Sequence, residues 1–279
     1  GDPDDQGGTA HRGRGGLIEQ AARVVERALQ GGAGDAECTF AEGSEFAASV
    51  RMGEVESVKE AGSRALGLRV LVGRRSGSSY TSDLSEAGLE KLVESAVALA
   101  RIASEDPFAG LPERQELGSA GGDLGLYFDD VQGLEADDKI ALARRCERAA
   151  LDTDPRITNS EGGSFDSHWR RRLLVNSRGF AGEYRRSSCS LSAVPVARDG
   201  DAMERDYWYT ISRSFAGLEP AEAVGRQAAQ RALRRLGATK VPTCRVPVIF
   251  EPRTARTLLS NLFEAVNGDS IYRHASFLA

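Results

Sequence analysis

Apolar residues recur at helical spacing in five separate stretches of the chain. In the first stretch, Ile18, Ala21, Val25 and Leu29 share one face, and Gly31 ends the pattern. The second stretch predicts a helix over residues 85–102, capped by Ser85. Its predicted buried positions are Leu89, Leu92, Val93, Ala96, Val97 and Ala100. The other helices are predicted over residues 135–151, with Ile140, Ala143, Cys146 and Ala150 as the apolar stripe, over 220–236, and over 259–269.

Between these helices the apolar residues alternate with polar ones, which is typical of β-strands. Early strands are predicted over residues 37–41, 45–50, 51–58 and 65–73, with a turn over 73–77. Residues 156–214 are divided by turn sequences at 161–163, 176–179 and 198–201, so about four further strands are predicted there. A last strand is predicted over 245–251.

This order of elements predicts an α+β protein of two regions. A helix-flanked antiparallel sheet forms an N-terminal domain over residues 16–103, and a β-rich second domain follows over 131–279. Residues 104–130 show no period and are predicted to be a connector. Residues 1–15 lack an apolar core and are predicted to be a disordered tail. The chain stops without a cap or polar tail, so we expect the β-rich domain to be truncated at its C-terminus.

Composition narrows the possible classes of function. The chain has 279 residues, 41% hydrophobic and 28% charged, with a formal net charge of −5. An acidic balance makes nucleic-acid binding unlikely as a function, and no apolar run approaches the ~20 residues that span a bilayer. The four cysteines form no C-x-x-C pair and are expected to be reduced, partly buried thiols of a cytoplasmic protein.

A catalytic metal site is hard to build from these residues. The chain has three histidines, His11, His168 and His274, and no two share a helix at ligand spacing. Glu264 lies in a predicted helix beside Phe263 and near Gly268, without an imidazole neighbour. This pattern leaves two interpretations open: a metallopeptidase helix that has lost its metal, or a core helix that never had one.

Two further segments carry aromatic or basic side chains. The run at residues 168–175 favours a solvated strand edge over a nucleic-acid patch. On the strand at 205–214, Tyr207 and Tyr209 face one side and Trp208 the other. That strand is interpreted as a core strand, with capture of an extended peptide along its edge as the functional alternative.

Several segments together resemble the TldD/PmbA family, also described as modulators of DNA gyrase. The similar segments appear in the family's order and span residues 17–279. They are GEVESVKEAGSRALGLRVLVGRRSGSSYTSDLS, ASEDPFAGLPE, SEGGSF, NSRGFAGEYRRSSCSLSAVPVA, YWYTISRS and VIFEPRTARTLLSNLFEAVNGDSIYRHASFL.

The resemblance implies a metallopeptidase complex. The family's TldD branch carries His-Glu-x-x-x-His on a helix and binds zinc, with a third ligand, a cysteine, near the C-terminus. In this chain Phe263 stands at the first histidine position and Gly268 at the second, while Glu264 remains. The chain therefore resembles the PmbA (TldE) branch, which binds no zinc.

We accordingly expect no cofactor in this chain, with zinc only in a TldD-like partner. The expected function is that of a non-catalytic subunit, in a heterodimer with that partner or in a homodimer, acting on unfolded or extended peptides. Tyr207, Trp208 and Tyr209 are the candidate peptide contacts. Two alternatives stay open: a metallopeptidase in its own right that uses ligands outside this fragment, and a regulatory protein associated with DNA gyrase. Binding to a membrane is not expected.

Overall fold

A computed structural model describes residues 8–118 and 122–279 of the chain, which divide into two compact units at Gly237/Ala238. The first unit holds four helices and seven strands among its described residues. In chain order these are α1 (Gly8–Gln30), β1 (Asp35–Arg51), β2 (Glu54–Val72), β3 (Arg75–Thr81), α2 (Glu86–Ile102), α3 (Ala136–Leu151), β4 (Ile157–Asn176), β5 (Ala181–Asp199), β6 (Ala202–Arg205), β7 (Trp208–Ser212) and α4 (Ala221–Arg235). The second unit holds α5 (Pro252–Val266) and α6 (Gly268–Tyr272).

The strands form one antiparallel sheet in the order β3-β2-β1-β4-β5-β6, and β7 also pairs with β5. The α+β class is therefore as predicted. The strands of the two predicted regions belong to the same sheet, however, because β1 pairs with β4 from Glu37↔Asn176 to Val50↔Gly163.

One face of this sheet carries two separate apolar cores. On β1 the alternate residues Ala36, Cys38 and Phe40 are buried under α1 and α2. Farther along the same strand and on the same face, the buried residues Phe46, Ala48 and Val50 belong to a second core with α3 and α4. The period of two thus holds over the whole strand, and each pair of helices covers one end of it.

The opposite face has no buried side chains along the middle of β1, where Ala41, Gly43 and Glu45 are half-buried or exposed. We call this the open face. Strand register places Ser63 of β2 and Arg170 of β4 on it, each directly opposite Gly43. The helices pack on the other side, so the open face is the surface on which a ligand can approach the sheet.

The helices of the first unit agree closely with their predicted positions. Ser85 caps α2 by accepting a hydrogen bond from the N–H of Gly88 at 3.2 Å, and all six predicted apolar positions of α2 are buried. Helix α1 starts at Gly8, within the predicted tail of residues 1–15, of which residues 1–7 lie outside the described part. The buried residues of α1 begin at Ala21. A helix can continue beyond the residues that pack against a core.

Several predicted strand boundaries were wrong. The stretches 37–41 and 45–50 belong to one strand, β1, and the stretches 51–58 and 65–73 lie largely within β2. The sequence Glu161-Gly162-Gly163 does not end a strand, because β4 runs through it with a shift in pairing register. Gly162 has φ = +125°, a conformation that suits glycine and accommodates such a bulge.

The basic run at residues 168–175 does not form a strand edge. It lies in β4, which is hydrogen-bonded on both sides, to β1 and to β5. The predicted strand at 245–251 is also absent, since residues 245–250 of the second unit have no regular secondary structure. A strand needs a neighbour to hydrogen-bond with, and no described strand pairs with this segment.

Candidate functional site

The helix that matches the metallopeptidase pattern ends before the pattern is complete. Phe263 and Glu264 lie in the last turn of α5, whose final residue is Val266. Asn267 then breaks the helix and caps α6, its side chain accepting a hydrogen bond from the N–H of Asp269 at 2.9 Å. Gly268 is the first residue of α6, so the two positions that would carry ligands lie on different helices.

The residues present at this helix do not fit a zinc ion. Phe263 is 71% exposed and has no donor atom, and Gly268 has no side chain. Among the described residues no group of three or more His, Cys, Asp or Glu side chains is placed to hold a metal ion. Glu264 is exposed and lacks an imidazole partner, so this segment offers no means of activating a metal-bound water.

The aromatic residues predicted to contact peptide lie at an edge of the sheet. Strand β7 pairs with β5 on one side, and no described strand pairs with its other side. The rings of Tyr207 and Tyr209 stack with their centroids 6.2 Å apart, and Tyr207 is 53% exposed. Trp208 is half-buried against the second core, with the Arg231 guanidinium 5.6 Å from the centre of its ring. Tyr207 is therefore the most accessible of the three, since Tyr209 is half-buried as Trp208 is.

A cluster of arginines on the open face was not predicted as a site. Arg170 of β4 lies directly opposite Arg186 of β5, and Arg172 lies opposite Tyr184 in the neighbouring register. The three arginines are exposed, and we call them the arginine cluster. None of them forms an ion pair with a carboxylate in the part of the chain that the structure describes.

Beside this cluster the open face carries several small side chains, together with Glu45. Strands β1 and β2 contribute five residues that we call the small-residue floor: Ala41, Gly43, Ala61, Ser63 and Ala65. Register places Gly43 opposite Arg170 and Ala41 opposite Arg172. The floor and the arginine cluster together line a cleft of ≈ 320 Å³. A backbone that lacks large side chains on one side and has guanidinium groups on the other leaves space for an extended ligand.

The arginine on the other face of the sheet has a different environment. Arg171 donates to Glu42 at 3.2 Å and to Glu183 at 2.8 Å, and its side chain is only 14% exposed. These two carboxylates raise its pKa against the opposing effect of burial. The charge of Arg171 is thus satisfied within the chain.

Two titratable groups continue the open face beyond the arginine cluster. Partial burial, with the charges of Arg170 and Arg186, lowers the pKa of His168 below its usual value. Burial raises the pKa of Asp166, although interactions with Ser190 and Ser164 oppose the change. The charges of Arg170 and Arg186 therefore disfavour protonation of His168.

Two family models match the first unit of this chain. The model described as the PmbA/TldA metallopeptidase central domain matches residues 129–236. The model described as PmbA/TldA metallopeptidase domain 1 matches residues 36–100. The chain belongs to the PmbA/TldD family. Both matched segments contribute strands to the shared sheet, so the family match and the fold describe the same unit.

Curated PmbA relatives align over almost all of the chain. The Metalloprotease PmbA of Escherichia coli O157:H7 is 37% identical over 262 residues, which is 94% of this chain and 58% of that protein. The Metalloprotease PmbA homolog of Haemophilus influenzae is 38% identical over 94% of this chain and 57% of its own length. The chain thus spans somewhat more than half the length of the curated relatives it matches.

Solved structures show the same PmbA/TldD-type fold. A putative modulator of DNA gyrase from Bacteroides thetaiotaomicron superposes with a TM-score of 0.84 at 28% identity, covering 93% of this chain and 59% of that one. TldE from Thermococcus kodakarensis superposes with a TM-score of 0.82 at 18% identity, covering 93% of this chain and 58% of that one. At that identity the second likeness supports the fold alone.

None of the described helices in this PmbA/TldD-family chain is long and apolar enough to cross a membrane.

Proposed function

We propose that this chain is the non-catalytic subunit of a PmbA/TldD-type metallopeptidase complex that acts on unfolded or extended peptides. In this proposal the chain binds peptide and a second, zinc-bearing subunit of the TldD type cleaves it. Zinc is expected only in that partner, and the chain itself has no cofactor. A homodimer is the alternative assembly.

The observation that carries this proposal is the geometry at the end of α5. A zinc peptidase of this kind holds its metal with helix-borne imidazoles and uses a glutamate to activate water. Here Phe263 and Gly268 supply no ligand atoms, and the helix ends at Val266, between them. Glu264 therefore has no neighbouring side chain at these two positions that could hold a metal ion.

The edge of β7 supports the peptide-binding half of the proposal. An extended peptide can add to an unpaired strand edge through main-chain hydrogen bonds, while side-chain pockets supply contact area. The exposed Tyr207 and the half-buried Tyr209, whose rings stack, lie at such an edge. Main-chain pairing requires no particular peptide sequence, which suits a subunit that presents unfolded chains to a partner.

The test uses the full-length protein, a TldD-type partner and an unfolded, fluorescently quenched peptide. We expect cleavage when both proteins are present and no cleavage by either protein alone. Metal analysis of each purified protein should find stoichiometric zinc in the partner and none in this chain. Cleavage by this chain alone, or tightly bound zinc in it, would contradict the proposal.

A pair of matched variants tests which of the two proteins carries out the cleavage. Replacing Glu264 in this chain by alanine should leave the rate of the mixture unchanged, because an exposed residue is lost. Replacing the glutamate of the partner's His-Glu-x-x-x-His helix should abolish cleavage. If Glu264→Ala lowers the rate as strongly as the change in the partner, the assignment of catalysis to the partner is wrong.

The names of the related proteins suggest two alternative functions for this chain. The curated relatives are called metalloproteases, and a lone peptidase that uses ligands outside residues 1–279 would contain zinc when purified by itself. The Bacteroides relative is called a putative modulator of DNA gyrase. Association with gyrase would be supported if a pull-down with the full-length protein recovered gyrase and no TldD-type subunit.

A further inference from the structure

Two arginines face each other in the middle of the sheet without a carboxylate between them. Arg170 and Arg186 are directly cross-strand on the open face, and like charges in that position destabilise a sheet. The corresponding arginine on the helix-covered face, Arg171, is neutralised by Glu42 and Glu183. The chain thus compensates one arginine internally and leaves the other pair uncompensated in the described structure, which indicates that their counter-charge comes from outside.

We propose that the arginine cluster binds the carboxylates of an acidic peptide that lies extended across the small-residue floor. Guanidinium groups pair with carboxylates through two parallel hydrogen bonds, so each arginine can hold one acidic side chain or a chain terminus. The ≈ 320 Å³ cleft gives the peptide backbone a place beside them.

The spacing of the cluster specifies the pattern of acidic residues. Arg170 and Arg172 are two residues apart on β4, and residues i and i+2 of a strand are about 6.7 Å apart on one face. An extended peptide has the same repeat. Acidic side chains at alternate positions of the peptide therefore match successive arginines, whereas adjacent acidic residues point to opposite sides and match only one.

The floor explains why the ligand can come close to the sheet. At Gly43 an added Cβ would collide with the carbonyl oxygen of Trp169 and lie 3.1 Å from Cγ of Arg170, so the stem of Arg170 packs against this glycine and the open space lies over β2. The neighbour of Gly43 across the sheet is Ser63, which is small and exposed. A larger residue at position 63 would fill the space in front of Gly43 and leave the arginines in place.

The same surface is a poor match for nucleic acid. Binding to a phosphate backbone needs a row of positive charges along a broad surface. Here the negatively charged Glu45, two residues after Gly43 on the same face, lies opposite His168. The whole chain carries a net charge of −5. The positive region is limited to a few side chains, which is the size of a short acidic segment.

This inference does not rest on the proposed function. Binding of an acidic peptide needs only the first unit of this chain, whereas cleavage needs a partner. Failure of the binding test and failure of the cleavage test are therefore distinguishable, because each is measured without the other.

The experiment measures fluorescence anisotropy of labelled octapeptides with the full-length protein at low salt. Three peptides are compared: alternating Glu-Thr repeats, the same composition arranged as Glu-Glu-Thr-Thr, and alternating Gln-Thr repeats. We expect the alternating acidic peptide to bind at least about tenfold more tightly than the neutral one, a difference of about 1.4 kcal/mol. It should also bind more tightly than the block-arranged peptide, and its affinity should fall as salt is added.

Variants test whether these arginines are responsible. The double change Arg170→Gln and Arg186→Gln should weaken binding of the alternating acidic peptide about tenfold or more. The double change Arg234→Gln and Arg235→Gln removes two positive charges as well, from exposed positions on α4, and should have no effect on binding. Ser63→Leu should weaken binding of the acidic and the neutral peptide alike, since it fills the cleft without changing the charge.

Folding is controlled within the same series. The change Arg186→Glu replaces a repulsive cross-strand pair by an attractive one, so it should raise the thermal unfolding temperature while it abolishes binding of the acidic peptide. The proposal is overturned if the neutral or block-arranged peptide binds as tightly as the alternating acidic one, or if the double variant retains wild-type affinity. It is also overturned if a single-stranded oligonucleotide binds this cleft more tightly than the acidic peptide.

Discussion

The carboxylate of Glu147, on α3, accepts a 2.8 Å hydrogen bond from the backbone N–H of Met52 at the tip of the β1–β2 hairpin. Its second oxygen accepts from the N–H of Gly53 at 2.9 Å. The side chain is almost fully buried, at 1% exposure. The turn donates both of its N–H groups to this one carboxylate, while Arg144 donates to the carbonyl oxygen of Gly53 at 3.0 Å. Helix α3 therefore holds the tip of the β1–β2 hairpin.

Replacing Glu147 by alanine should destabilise the first unit by roughly 1–3 kcal/mol, because the backbone N–H groups of Met52 and Gly53 lose the charged acceptor that they share. Glu147→Gln should fall between wild type and alanine, since the amide retains one acceptor oxygen. Urea unfolding followed by circular dichroism measures the change. Glu94→Ala on α2 removes an exposed carboxylate and serves as the control; equal effects of the two alanine changes would contradict the assigned role.

Met52 is a second position where the hairpin tip can be altered, here with a gain in stability. It has φ = +51° and is followed by Gly53 at φ = +83°. Positive φ at both central residues is typical of a hairpin turn that favours Asn-Gly. Met52→Asn should raise the free energy of unfolding by roughly 0.5–1 kcal/mol. Met203→Asn makes the same chemical change in β6, where φ is negative, and should bring no gain.

Asp35 makes the stability of the first unit depend on pH. Its two oxygens accept hydrogen bonds from Arg178 at 3.1 and 2.8 Å, and Ser177 donates at 2.9 Å. The bond from Arg178 holds the pKa of Asp35 below its ordinary 3.8 in the folded state. Because the folded value is the lower one, the stabilisation is present above about pH 4 and is lost as the pH falls through the folded pKa.

The corresponding measurement compares wild type with Asp35→Asn. At pH 7 the variant should be less stable by roughly 1–2 kcal/mol, and the difference should shrink as urea titrations are repeated from pH 4 to pH 2. Asp201→Asn changes an exposed carboxylate in a turn and should show no such trend. A difference for Asp35→Asn that stayed constant down to pH 2 would exclude the ionised pair as its cause.

The cysteines should differ sharply in reactivity. Burial raises the pKa of Cys38 and of Cys146 to about 12 and that of Cys189 to about 11, so these thiols stay protonated at neutral pH. Cys244 is exposed. A thiol reagent should therefore label one cysteine per folded chain and all four in denaturant. Rapid labelling of Cys38 in the folded protein would show that the first core opens readily.

Helix faces, caps and turns were predictable because they depend on residues that are close together in the sequence. The buried face of α2 and its cap at Ser85 depend only on a helical repeat and one side chain. The turn that ends β4 at Asn176 is likewise signalled by the residues that form it. Such elements need no knowledge of the partner strands.

The position of a strand in the sheet was not predictable, because it depends on pairing with residues far away in the sequence. The basic run of β4 could be assigned to an edge or to the centre of a sheet only with knowledge that both β1 and β5 bind it. The Glu161-Gly163 segment has turn residues, yet the neighbouring strand continues past it and makes it a bulge. The segment at 245–250 has a strand pattern and no described neighbour to pair with.

The candidate sites divide in the same way. Residue identity alone shows that Phe263 and Gly268 have no side chain that binds zinc, although it does not show the helix break at Asn267. The arginine cluster could not be recognised in sequence, because only the pairing register shows that Arg186 of β5 lies opposite Arg170 of β4. The available signal was the occurrence of arginine runs in two successive strands.

The pairing of β1 with β4 has a practical consequence for how this protein can be divided. Cutting a gene between the two family segments, which match residues 36–100 and 129–236, would leave each product with an exposed strand edge, because β1 and β4 pair with each other from Glu37↔Asn176 to Val50↔Gly163 in the intact chain. Such exposed strands associate with whatever chain is available. We therefore expect the two segments to fold correctly only when they are expressed as one polypeptide.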